Sequence, residues 1–242
     1  MATAKKNAAP TADLIATAYR RSYLLEGSAP KSIFAFCDAH GWNESDFYAH
    51  FTGFDQIDAR FWTERIESTL ERLKGSEEWS GFGAREKLLA FYFTWFEMLL
   101  DERSFAVATA PGPGRGPSAR YAEWKERFVR FARELVAEGE SNGEIERRSF
   151  IGERYPEALW MQQLFLLQFW TADRSAGFED TDAAIEKAVN LGFDLMRKGV
   201  VESAVDAFRF FARKSPMEAW MPSMDGMGNN PVSAFFARNF KG

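Results

Sequence analysis

Tyr121, Trp124, Phe128, Phe131 and Leu135 follow one another at spacings of three, four, three and four residues. That pattern lines five large side chains along one side of an α-helix and would scatter them over both faces of a strand. Rings recur throughout the chain, which carries 24 Phe and 8 Trp in 242 residues, and side chains of that size need an interior deep enough to hide them. No segment alternates apolar and polar residues long enough to suggest a sheet. The expected fold class is therefore all-α.

Glycine, proline and capping residues divide the chain. Residues 1–10 contain Lys5 and Lys6 with no apolar stretch behind them, which reads as a disordered arm and not as a secretory signal. A first helix is expected over 11–26, with Leu14, Ile15, Ala18 and Leu25 facing inward and Gly27 ending it. Two short helices, 31–39 and 43–50, flank the turn His40, Gly41, Trp42, with Asn43 as the N-cap of the second. After Gly53 a long helix should carry Ile57, Phe61, Ile66, Leu70 and Leu73 to Lys74. The boundary between a small domain, 11–58 with its connecting helix 59–74, and a larger one, 84–214, is expected in the linker 75–83.

The larger domain should open with a helix over 84–101 that is apolar on nearly every face and so sits centrally. A loop, PGPGRGP at 111–117, follows. The ring-bearing helix comes next and ends near Gly139. Pro156 then suits the first turn of an apolar helix reaching Thr171, and Asp180 or Thr181 starts another that closes at Lys198 and Gly199. A last helix over 202–214 would pack Val205, Phe208 and Phe211, and 215–242 reads as an irregular tail. The apolar runs at 88–100 and 159–170 fall short of the roughly 20 residues needed to span a bilayer.

The chemistry of catalysis is thinly represented. Only His40 and His50 are present, and the single cysteine, Cys37, excludes an internal disulfide and fits a reducing, cytoplasmic location. No CxxC, HExxH, GxGxxG or GxxxxGK[ST] pattern occurs, so neither an enzyme, a metal site nor a cofactor is expected. Lys and Arg number 30 against 35 Asp and Glu, a net charge of −5, which disfavours a purely electrostatic hold on nucleic acid or an anionic membrane.

The segment PKSIFAFCDAHGWNESDFYAHFTGFDQI, residues 30–57, resembles the helix-turn-helix signature of the TetR family. There a short helix with a small residue leads into a glycine turn, and seven residues later a tyrosine stands in the recognition helix. Gly41 and Tyr48 have that spacing, and Phe47, Tyr48, His50 and Phe51 match the residues around the tyrosine. Phe36 and Cys37 stand where the family has an aliphatic residue and alanine. FWTADRSAGFEDTDAAIEKAVNLGFDLM, residues 169–196, is similar to the family's paired C-terminal helices. The resemblance implies a three-helix DNA-reading head, a larger helical domain enclosing an apolar effector pocket, and dimerisation through the last helices.

The head departs from the family in charge. Residues 11–58 hold three basic residues, Arg20, Arg21 and Lys31, against seven acids, with Glu44 and Asp46 in the first turn of the recognition helix. The family's lysine at the start of the fourth helix is Phe54 here. Lys31, Ser45, Tyr48 and His50 remain as candidate DNA contacts, with Arg60 and Arg65 on the fourth helix as further basic groups. The expected pocket residues are Phe91, Trp95, Tyr121, Trp124, Phe128, Gln163, Phe165 and Gln168, rings for the walls and glutamines to orient a ligand. Expected partners are a second copy of the chain, an apolar small molecule or lipid, and an enzyme partner, while local charge disfavours DNA. In this the chain resembles the TetR-fold lipid-binding auxiliaries of ubiquinone biosynthesis. The alternative is a conventional ligand-responsive repressor.

Overall fold

Thr11, Ser32 and Asn43 each precede a helical run, where a short polar side chain satisfies a backbone N–H that the helix itself leaves unpaired. The computed structural model describes residues 9–112, 119–147 and 152–197. In it these residues open the first three helices. α1 is Ala12–Glu26, with Thr11 Oγ1 accepting from Leu14 N at 3.2 Å. α2 is Ile33–His40, with Ser32 Oγ accepting from Ala35 N at 3.1 Å. α3 is Glu44–Tyr48, where the Asp46 carboxylate accepts from Asn43 N at 3.0 Å. Gly41 joins α2 to α3 at φ 68°, a left-handed conformation that costs a side-chain-bearing residue energy.

α4 is Phe54–Lys74, α5 Ala84–Leu100, α6 Arg103–Thr109, α7 Ala122–Asn142, α8 Tyr155–Ala172 and α9 Glu179–Arg197. Among the described residues there is no strand, and no helix is long and apolar enough to cross a membrane. α4 packs on α5 and α7, α7 on α8, and both α5 and α8 on α9. The long helix α4 thus carries Phe61 onto Phe105 of α6 and Trp62 onto Trp124 of α7.

Three local expectations change. Leu14 and Leu25 are 51% and 74% exposed, and Ile15, buried as expected, is joined in the inward stripe of α1 by Ala16 and Tyr19. The helix is rotated to bring Tyr19 onto Phe54, stacked at 4.8 Å, and edge-on to Phe105 at 6.1 Å, contacts that two leucines could not offer. α6 was not expected, and it provides Phe105 for that cluster. α7 runs through Gly139 to Asn142, because Ile145 folds back over the glycine: a Cβ there would lie 2.7 Å from Ile145 Cδ1. The helix stops instead at Gly143, with φ 82°.

Glu144, just beyond, reaches across to α5, where its carboxylate accepts from Ala84 N at 3.0 Å and Arg85 N at 3.1 Å. A carboxylate from 60 residues away therefore caps the central helix. The arm 1–8, most of the proline-glycine loop, the expected helix 202–214 and the tail 215–242 lie outside the described residues.

Candidate functional site

Helices α1 to α3 pack around a small aromatic core, and their charge is acidic. Phe36 and Phe47 are buried and meet edge-on at 6.1 Å, holding α2 and α3 together. Phe54 joins them, T-shaped to both at 5.5 Å, so the ring that replaces the family's phosphate-binding lysine has become part of the head's core. Ser45, Tyr48 and Lys31 are exposed, as is Glu44 beside them. His50 is also on the surface, but its Nε2 lies 3.1 Å from the Pro10 carbonyl, which ties the ring to the start of α1. Arg60 pairs with Asp13 and Glu64, and Arg65 with Glu102 at 3.1 Å. Arg60 and Arg65 are thereby committed within the chain, and Arg20 pairs with Glu102, leaving Arg21 and Lys31 as the cations of residues 11–58 with no ion pair among the described residues.

Two ionic latches join head to body. Glu102, just before α6, receives Arg20 of α1 at 2.9 Å and Arg65 of α4 at 3.1 Å. Arg120, ahead of α7, binds both Asp55 and Asp58 of α4, the latter through Oδ2 at 3.2 Å. The Asp58 side chain is 4% exposed and its Oδ1 has no hydrogen-bond partner. Burial pushes its pKa from 3.8 up to about 6, although the Arg120 guanidinium and the Tyr19 hydroxyl favour the ionised form. Burial, with the Asp58 carboxylate next to it, likewise raises the Tyr19 phenol well above its ordinary value. A cleft of about 420 Å³ opens here, lined by Tyr19, Tyr23, Phe54, Asp55, Asp58 and Arg120 among others. Nothing in the sequence periodicity marked it. The available signal was Asp58 itself, a carboxylate inside the apolar stripe of a long helix.

The expected pocket residues divide into two groups. Phe91, Trp95, Trp124 and Phe128 are fully buried and meet in one ring cluster, with Trp62 of α4 stacked on Trp124 at 4.7 Å and Trp160 edge-on to it at 4.8 Å. Tyr121 touches the cluster, 5.9 Å from Trp124, while its hydroxyl donates to the Thr109 carbonyl at 2.7 Å. Gln163 stands one turn along α8 from Trp160, fully buried, with neither amide atom partnered. The indole N–H groups of Trp62, Trp95 and Trp124 are also buried without partners.

Phe165 and Gln168 are set apart from these. Phe165 is half-buried and pairs with Phe169 at 6.4 Å, on the side of α8 away from Gln163. Gln168 donates from Nε2 to the Pro111 carbonyl at 2.5 Å, which occupies its amide. Gln162 is spent as well, accepting from Tyr92 at 3.2 Å and donating to the Ala188 carbonyl at 2.7 Å. Trp62 and Trp160, both on Trp124, lie in the cluster without belonging to the expected set. Cys37 is buried, where burial pushes its thiol upward, with Glu44 and Asp46 adding to the effect. That is the state of a packed thiol, not of an activated one. No group of three potential metal ligands occurs among the described residues.

No curated protein matches the chain. Residues 87–211, just over half of it, match the family described as tetracyclin repressor-like, C-terminal domain. The match covers the cluster's rings other than Trp62 of α4, and ahead of it α2 and α3 form a helix-turn-helix with its left-handed glycine turn. With an all-helical architecture and a family match of that extent, the chain belongs to the tetracycline repressor-like family of regulators.

Proposed function

We propose that the protein is a homodimeric regulatory or auxiliary protein that takes an apolar, lipid- or isoprenoid-like ligand into the ring cluster of the larger domain, and that its hold on operator DNA is weak or lost. The observation that carries the ligand reading is the five buried polar atoms of Gln163, Trp62, Trp95 and Trp124 that have no hydrogen-bond partner. A buried group left unpaired costs about 1 to 3 kcal/mol, and native interiors rarely leave several together. A ligand with a carbonyl or carboxyl head would accept from the indole N–H groups and pair with the Gln163 amide. Its hydrocarbon body would gain about 25 cal/mol per Å² of apolar area removed from water, before association costs. Entry requires the rings to part, since they now meet at 4.7 to 4.9 Å. Because Trp62 belongs to α4, a ligand that shifts Trp124 also displaces the helix that carries the head.

Charge supports the DNA part of the reading. The exposed surface of α3 presents Glu44, with Arg21 and Lys31 as the head's cations outside any ion pair among the described residues, and each phosphate neutralised contributes about 0.9 to the slope of log K against log salt. Few contacts mean a shallow slope and a low affinity. For dimerisation, much of the apolar surface on α8 and α9 is used inside the chain, by Trp160, Leu167, Trp170, Ile185 and Phe193. Met161, Phe165, Phe169, Leu191 and Leu195 remain partly exposed and supply the seam for a symmetric partner.

The test is native mass spectrometry of protein purified without detergent, followed by thermal melts with quinones, fatty acids and small polar metabolites. A co-purifying lipid, or a melt raised by the apolar compounds alone, is expected. No bound species and no rise would refute the ligand reading. Light scattering at the mass of one chain would refute the dimer. The second reading, a conventional repressor, is favoured by the intact head, whose Ser45 and Tyr48 remain outward. Nanomolar, sequence-specific binding at physiological salt would establish it and overturn the first.

A further inference from the structure

The cleft between α1, the first turn of α4 and α6 lies outside the ring cluster that holds Gln163, and its walls have a different chemistry. We infer that it binds a compact organic cation, an ammonium or amidinium on a flat apolar body, with Asp58 Oδ1 as the acceptor and the rings of Tyr19, Tyr23 and Phe54 around it.

The unsatisfied group is specific. Arg120 directs one terminal nitrogen at Asp55 and the other at Asp58 Oδ2, at 3.2 Å. Oδ1 of the same carboxylate is left buried and unpaired. Thr109 Oγ1 donates to the Phe105 carbonyl at 2.8 Å and the Tyr23 hydroxyl to the Ala108 carbonyl at 3.5 Å, and the Tyr19 hydroxyl, although it faces the Asp58 carboxylate and favours its ionised form, makes no hydrogen bond to Oδ1. Two carboxylates facing one guanidinium leave one negative charge. A carboxylate ligand would therefore face Asp55 and Asp58 across an arginine that is already engaged. A neutral apolar ligand would leave Oδ1 dry and unpaired. A cation satisfies the oxygen with a charge-assisted bond and meets the negative faces of aromatic rings.

The volume, about 420 Å³, is that of a small-molecule site. Its position gives it a consequence. The walls come from α1 and α4 on one side and from α6 and Arg120 on the other, so an occupant braces the head against the body beside the Arg120 latch. The site is independent of the lipid reading, since it shares no side chain with the ring cluster.

The test is calorimetric titration of the full chain with benzamidinium, 2-phenylethylammonium, benzyl alcohol and benzoate. The two cations are expected to bind, with benzyl alcohol and benzoate weaker by about tenfold or more. Asp58→Asn keeps the shape and removes the charge, and it should weaken benzamidinium at least about tenfold. Asp55→Asn, on an exposed side chain, should weaken it by about two- to threefold. Benzoate or benzyl alcohol binding as tightly as benzamidinium overturns the inference. So does unchanged affinity in a folded Asp58→Asn protein, or no heat from any probe up to about 1 mM. Should that variant fail to fold, the order of the four probes on the unmodified protein decides the matter alone.

Discussion

Asp58→Asn also makes a quantitative prediction about stability. The folded carboxyl titrates at about 6 against 3.8 for the free group, because burial outweighs Arg120 and Tyr19. At about 1.4 kcal/mol per pH unit, that difference corresponds to about 3 kcal/mol. The sign follows from proton binding. Between pH 3.8 and about 6 the folded chain holds the proton that the unfolded chain has released, so stability falls as pH rises through that window and stays lowered above it. The groups facing the carboxyl are Asp55 on its own helix, Tyr19 and Tyr23 from α1, and Arg120 and Tyr121 ahead of α7.

Asparagine resembles the protonated acid at every pH. Denaturant unfolding at neutral pH should therefore show the variant more stable by up to about 3 kcal/mol, roughly 6 to 12 °C in a melt. The two proteins should converge as pH falls toward 4, near the ordinary value of 3.8. A variant less stable than the parent at neutral pH would mean that the Arg120 pair outweighs burial. A difference that does not change with pH would mean that Asp58 does not titrate in this window. Either result refutes the reasoning.

Three further outcomes are expected. Gln163→Leu should raise the stability of ligand-free protein by about 1 to 2 kcal/mol, because it removes an unpaired buried amide, and it should abolish any melting rise caused by apolar ligands; a loss of stability without ligand counts against the unpaired amide. Glu144→Ala should cost about 1 to 2 kcal/mol by uncapping α5. Burial raises the Glu144 carboxyl, but the N–H groups of Arg85 and Ala84 and the Asn142 amide outweigh it and hold it below 4.5. The loss should then be full above 4.5 and fade as pH falls through the lower folded value, which urea titrations at several pH values would show. Trp124→Ala should cost about 3 to 5 kcal/mol and collapse the near-UV signal of the stacked indoles, whereas a small loss would mean that the cluster around Trp62 and Trp160 closes over the gap.

Periodicity and caps marked the described helices other than α6 from sequence alone. Thr11, Asn43 and Gly41 act where their chemistry says they should, and the 121–135 stripe is buried as its spacing demands. These are local effects, set by a few neighbouring residues and by the 3.6-residue turn. The charge of the head was equally legible, since it needs only a count. Sequence could not choose among faces that were all apolar. It placed Leu14 and Leu25 inward on α1 where Tyr19 prevails, and it grouped Phe165 and Gln168 with Gln163 although they point elsewhere on the same helix. Which ring meets which depends on how helices distant along the chain cross. The same holds for the Glu144 cap on α5, the Arg120 latch on Asp55 and Asp58, and the cleft behind it. Each joins groups distant along the chain, and burial, which sets the pKa of Asp58 and strands the amide of Gln163, exists only once those groups have been brought together.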